Sequence, residues 1–135
     1  MNQSVIMKLG AVVSVLFGVA FLFAPNAVMA LYKSEPLNTS GLYNAMLYGG
    51  FLIGLAAMNW SASTASAMEA RHVILGTLVS VAIGFAVALY KQLTDPAVPV
   101  MSWLNVAIFL VFTVLYGYLQ FARMPARSPT AGSAA

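Results

Sequence analysis

Read for polarity alone, the chain alternates four long apolar runs with short polar ones. The runs lie at about residues 7–24, 42–60, 72–90 and 102–122. Each approaches or reaches the roughly 20 mostly apolar residues that an α-helix needs to cross a bilayer. The intervening segments carry the breakers. Pro25 and Asn26 follow the first run, and a polar loop at 33–40 contains Pro36. A Ser/Ala-rich loop occupies 61–69, and Asp95, Pro96 and Pro99 punctuate 91–99. Proline lacks the backbone N–H and cannot continue a helix, so these segments read as turns. Residues 27–32 are apolar again after Pro25; they either extend the first helix past a kink or lie as a short interfacial turn. The pattern predicts an all-α integral membrane four-helix bundle, one domain over residues 1–124. A Pro/Ser/Gly/Ala-rich tail at 125–135 is expected to be disordered.

The apolar runs are not independent. LGAVVSVLFGVA at 9–20 returns as LGTLVSVAIGFA at 75–86. Both copies hold Gly-x-x-x-Ser-x-x-x-Gly, as Gly10, Ser14, Gly18 and as Gly76, Ser80, Gly84. The second and fourth runs align more weakly, Asn44 with Asn105, Tyr48 with Phe109 and Phe51 with Phe112. The reading is two parallel two-helix repeats, both entering the membrane from one side; chance similarity between apolar helices is the alternative. Parallel repeats differ from the inverted repeats of many alternating-access transporters. The apolar run behind Lys8, with Val28-Met29-Ala30 beyond it, also has the layout of a signal peptide. Its similarity to the third run favours a retained helix.

In lipid, helices associate through close packing of small residues. Gly10, Ser14, Gly18, Gly76, Ser80 and Gly84 are the expected packing stripes. The second run has two small faces, one with Ala45, Gly49 and Ala56, the other with Gly50, Gly54 and Ala57. These stripes either build the bundle itself or meet another chain.

Composition sharpens this picture. The 135 residues are 61% hydrophobic and 7% charged, against about a quarter charged in soluble domains. A soluble fold of this size could not hide so much apolar surface. With no cysteine there is no disulfide framework or thiol nucleophile. The formal net charge of +3 is scattered, and nothing resembles a nucleic-acid patch. Lys8, Arg71, Arg123 and Arg127 fall on one side of four spans, and Lys33 and Lys91 on the other. The positive-inside rule then puts both termini in the cytoplasm. Trp60 and Trp103 sit at span ends, where amphipathic rings anchor.

Polar residues inside spans are costly and therefore informative. Asn44, Tyr48 and Phe51 share one helical face; Asn105, Phe109, Phe112 and Tyr116 share another. If the faces meet, they enclose an aromatic, Asn-capped interior that suits a lipid, quinone or pigment. The simpler alternative is an Asn hydrogen bond tying two helices above an ordinary aromatic core. His72 stands at the start of the third run, either as an interfacial residue or as a ligand to a cofactor. Without a second His, Cys or paired carboxylate there is no metal constellation, so neither metal nor cofactor is expected. Ser66 and Glu69 fit a capping box. No nucleophile–base pair or phosphate loop occurs, and the chain reads as a non-enzyme.

The run GVAFLFAPNAVMALY with Pro25 past the apolar stretch, and the Gly-rich YGGFLIGLAAMNW, resemble the small four-helix bacterial membrane proteins grouped as DoxX-like. That resemblance implies a bundle in a bacterial inner membrane and supplies no catalytic residues. The functional expectation is a membrane accessory or scaffold subunit, or a self-associating bundle; the alternative is a lipophile-binding or transport protein. The expected partners are membrane lipid and a homo-oligomer or larger membrane complex, not nucleic acid.

Overall fold

The computed structural model describes residues 2–122. The expected tail at 125–135 lies outside them. Among the described residues the chain is all-helical: α1 (Gln3–Phe23), α2 (Pro25–Leu31), α3 (Thr39–Ala62), α4 (Ala67–Thr94) and α5 (Trp103–Phe121), the last preceded by a 3₁₀ turn at Val100–Ser102. Helices α1, α3 and α4, and the 3₁₀ turn with α5, are each long and apolar enough to cross a membrane. Leu16, Phe51 and Val114 in their middles are exposed, as side chains facing lipid are. The protein is an integral membrane helical bundle.

Helices α3 and α4 run past their apolar windows because local chemistry extends them. The Asn38 side chain accepts from the Gly41 N–H at 2.8 Å and starts α3. Ser66 and Glu69 form the expected capping box at the start of α4, satisfying backbone donors that would otherwise be orphaned. At 28 residues, α4 is about 42 Å long at 1.5 Å per residue. That matches a bilayer with its headgroups, so Glu69 and Lys91 at its two ends reach the polar zones.

Segment 27–32 is neither a continuation of α1 nor a simple turn. Ala24 leaves helical geometry (φ −143°, ψ 53°), and Pro25 opens α2 as a separate short helix. Proline suits a first helical position, where its missing N–H would have no partner. After α2 the chain reverses at Lys33, whose φ of 56° is left-handed. The reversal is fastened by the Leu37 N–H, which donates to Asn26 Oδ1 at 2.9 Å.

The spans pack as two sequential hairpins, α1 along α3 and α4 along α5, with sparser contact between the hairpins. In the first hairpin the backbones touch. A Cβ added to Gly18 would lie 2.9 Å from the Gly49 carbonyl oxygen, and one on Gly49 would lie 2.7 Å from the Gly18 carbonyl oxygen. In the second, a Cβ on Gly84 would lie 2.7 Å from the Phe109 ring. Glycine therefore sets the helix spacing in each hairpin. The start of α1 and the α3–α4 turn share one end of the bundle, where Gln3 Nε2 donates to the Ala65 carbonyl at 3.2 Å and Lys8 Nζ lies 5.8 Å from the Trp60 ring centroid.

Candidate functional site

The hairpins enclose a cleft of about 150 Å³ that all four spans line. Its inner end, toward the α3–α4 turn, is a hydrogen-bonded cluster on three helices. Asn59 of α3 is 1% exposed. Its Nδ2 donates to the Leu55 carbonyl at 3.0 Å and to Thr77 Oγ1 of α4 at 3.1 Å. Its Oδ1 accepts the hydroxyl of Tyr116 on α5 at 2.5 Å. The fourth span completes the level, because a Cβ on Gly10 of α1 would lie 2.5 Å from Tyr116 Oη. An asparagine this buried would be expensive without partners; here both of its N–H groups and its carbonyl are engaged.

The walls are aromatic and aliphatic. Phe17 and Phe21 come from α1, Tyr48, Leu52 and Leu55 from α3, Val81 from α4, and Ile108, Phe109 and Phe112 from α5. Phe21 and Tyr48 meet edge to face, with centroids 5.5 Å apart at 74°, the arrangement that ring quadrupoles favour. The ionisable side chains on the lining are phenols; no Asp, Glu, Lys, Arg or His is among them.

At the outer end Tyr32, just past α2, donates its hydroxyl to Asn105 Oδ1 at 2.7 Å. Burial pushes the Tyr32 phenol above its ordinary value, the hydrogen bond to Asn105 opposes the rise, and Tyr48 nearby adds to it. The phenol thus stays protonated and remains a donor. Between the polar ends, Tyr48 to Asn59 and Asn105 to Tyr116 each span 11 residues, or about 16 Å of helix.

Of the residues expected to form an interior, Tyr48, Asn105, Phe109, Phe112 and Tyr116 come together around the cleft. Asn44 and Phe51 stand apart. Asn44 is exposed and donates to the Ser40 carbonyl of its own helix at 3.0 Å, so it does not meet Asn105. Phe51 is 60% exposed. The cause is the rotation of α3: with Gly49 held against α1, the roughly 100° step per residue turns Tyr48, Leu52, Leu55 and Asn59 inward and Phe51 outward.

The packing stripes divide similarly. Gly10, Gly18 and Gly84 stand in close contact, and Ser14 lines the cleft. Gly50, Gly54 and Gly76 have open space where a side chain would go. Ser80 is exposed and donates to the Gly76 carbonyl at 2.9 Å. Gly18 and Gly84, at the same offset in the two similar stretches 9–20 and 75–86, both face the partner helix of their hairpin; Gly10 and Gly76 do not correspond in this way.

Sequence reasoning missed Asn59 and Thr77. Asn59 lies beside Trp60 at the end of its run, where polar residues are common and carry little signal. Thr77 had one signal: it stands where the similar stretch 9–20 has Ala11. His72 is exposed, and among the described residues no three His, Cys, Asp or Glu side chains cluster as metal ligands. Comparison with known proteins gives no match, whether to a family model, to a curated protein or to a solved structure.

Proposed function

We propose that this protein is a non-catalytic membrane bundle that binds a small lipophile in the cleft between its hairpins. The observation that carries the reading is the cleft itself: aromatic walls between two polar ends, in a lining without carboxylate, ammonium, guanidinium or imidazole. Binding sites are typically concave, mostly apolar and equipped with a few placed polar groups. A volume near 150 Å³ is enough for about one benzene-sized ring. The lining offers side chains for stacking and hydrogen bonding, and no nucleophile–base pair. The DoxX-like resemblance supports a bacterial inner membrane for the bundle, and the Lys and Arg distribution supports cytoplasmic termini.

Native mass spectrometry of the protein released from nanodiscs tests this. We expect the wild type to retain a small nonpolar adduct. Leu52→Trp, which puts an indole into the cleft, loses the adduct while keeping its helicity. Absence of any adduct, or equal retention in Leu52→Trp, overturns the reading.

One observation favours a second role, as an accessory subunit or self-associating bundle. Gly50 and Gly54 on α3 and Gly76 on α4 present small-residue surface outward with nothing against it, and such surface lets helices approach closely in lipid. A dimer or heteromeric complex that Gly54→Leu dissociates would support this role; a monomer without a co-purifying chain would remove it.

A further inference from the structure

The two polar ends of the cleft differ in what they leave free. At the inner end Asn59 is spent, with both N–H groups donated and its carbonyl accepting from Tyr116. That cluster ties helices together and has no amide donor to give a ligand. At the outer end the Asn105 carbonyl accepts from the Tyr32 hydroxyl at 2.7 Å. The Asn105 amide nitrogen, with two N–H groups, has no acceptor among the described residues. Asn105 lines the cleft, about one helical turn from Phe109, which lies on the same face.

We infer that the cleft selects a neutral, ring-sized lipophile bearing one carbonyl acceptor, held by the Asn105 amide with its ring among Phe21, Tyr48 and Phe109. The inference rests on the lipophile-binding reading above and adds the polarity and position of the recognised group. Neutrality follows from the lining, where no cation or anion stands ready to pair with a charge. A flat ring follows from the wall, which offers faces and edges for stacking. An acceptor follows from the unpaired donor, since an amide N–H₂ asks for one and rejects a group that only donates; a carbonyl on the ring supplies it without adding a donor of its own. Tyr32 takes part as a positioning residue: by occupying the Asn105 oxygen it leaves the nitrogen for the ligand.

The test uses the full chain in phosphatidylcholine nanodiscs and fluorine NMR of two probes of nearly equal shape. 4-Fluoroacetophenone carries the carbonyl; 4-fluorocumene has a methyl group and a hydrogen in place of the carbonyl oxygen. Empty nanodiscs correct for partition into lipid. We expect both probes to bind the wild type, with acetophenone favoured about three- to tenfold, the value of one net hydrogen bond. Asn105→Leu brings the ratio to about one and keeps cumene binding, whereas Tyr32→Phe, which frees the amide to rotate, lowers the preference without abolishing it. Charged 4-fluorobenzoate is expected to bind more weakly than either. Equal affinity of acetophenone and cumene for the wild type overturns this inference and leaves the lipophile-binding reading standing. So does a preference that survives Asn105→Leu, or benzoate as the best binder. If neither neutral probe binds, both readings fall together. The comparison of probes on the wild type decides the matter even where Asn105→Leu does not fold.

Discussion

At the scale of single residues, the inner end of the cleft is a contest between a hydroxyl and a hydrogen atom. Tyr116 reaches Asn59 only because residue 10 has no side chain: an added Cβ would stand 2.5 Å from Tyr116 Oη, whereas the nearest ring carbons would be at 3.4 Å. Gly10→Ala therefore displaces the hydroxyl from Asn59 Oδ1. Tyr116→Phe removes the same hydrogen bond without adding bulk. Hydrogen bonds between membrane helices average about 0.6 kcal/mol and reach about 1.7, so Tyr116→Phe should cost about 1 kcal/mol. Gly10→Ala should cost more, because overpacking is added. The double variant should cost less than the sum, since the clashing atom is the one that Phe lacks. Equilibrium unfolding in mixed micelles measures all three, and strict additivity would show that Gly10 does not act on Tyr116. The sequence marked Gly10 and Tyr116 as separate features, a packing glycine and an aromatic lining. Asn59, which joins them to Thr77, escaped notice because polarity near a span end is common and its neighbour Trp60 is a typical interface residue.

At the scale of elements, α3 shows what pattern can and cannot decide. Its two small faces, Gly49 with Ala56 and Gly50 with Gly54, were legible from spacing alone. Which one would meet α1 was not, because hydropathy is the same for a glycine in contact with a helix and one in contact with lipid. The structure uses the first: Gly49 is buried, Ala56 is 1% exposed, and Gly50 and Gly54 have open surroundings. Adjacent glycines then make a sharp comparison. Gly49→Ala forces a methyl to within 2.7 Å of backbone atoms of Gly18 and Leu22, which cannot swing aside as a side chain would. It should destabilise the first hairpin by about 1–3 kcal/mol, the usual cost of overpacking. Gly50→Ala meets nothing and should stay within about 0.5 kcal/mol of wild type, as exposed substitutions usually do. The α4–α5 turn carries a different handle. Asp95 accepts from the Ala97 N–H at 3.1 Å and pairs with Lys91 at 3.2 Å. The backbone N–H first, and then Lys91, hold its carboxyl below the usual carboxylate range. A depressed folded-state value contributes stability above the unfolded value of about 3.9. That contribution is lost as pH falls through the folded value. Stability should thus not change through this group between pH 5 and 8, and the turn should loosen only below about pH 4, which carbon-13 NMR of the Asp95 carboxyl would follow.

At the scale of the whole molecule, the four spans and their order follow from the apolar runs, while the cleft does not. A helix face is a property of one segment, whereas a cleft depends on how two hairpins sit against each other. That is set here by contacts between residues far apart in sequence, Gly10 with Tyr116 and Asn59 with Thr77. The same assembly fixes a consequence for orientation. An even number of crossings puts the start of α1, the α3–α4 turn and the end of α5 on one side, and the α2 segment and the α4–α5 turn on the other. The first side carries Lys8 and Arg71, with Arg123 and Arg127 following in sequence; the second carries Lys33 and Lys91. Lys and Arg near span ends favour the cytoplasm, and acidic residues count for little in that choice, so Glu35 and Asp95 do not reverse it. Because the chain has no cysteine, single substitutions report topology without background. Thr64 lies in the α3–α4 turn and Ala97 beyond α4; both are exposed and neither side chain makes a hydrogen bond in the described structure. In intact cells a membrane-impermeant maleimide should label Ala97→Cys and spare Thr64→Cys until the membrane is permeabilised. The opposite pattern would invert the orientation and move the Tyr32–Asn105 end of the cleft to the cytoplasmic side. Labelling of both sites in intact cells would contradict the four-span crossing itself.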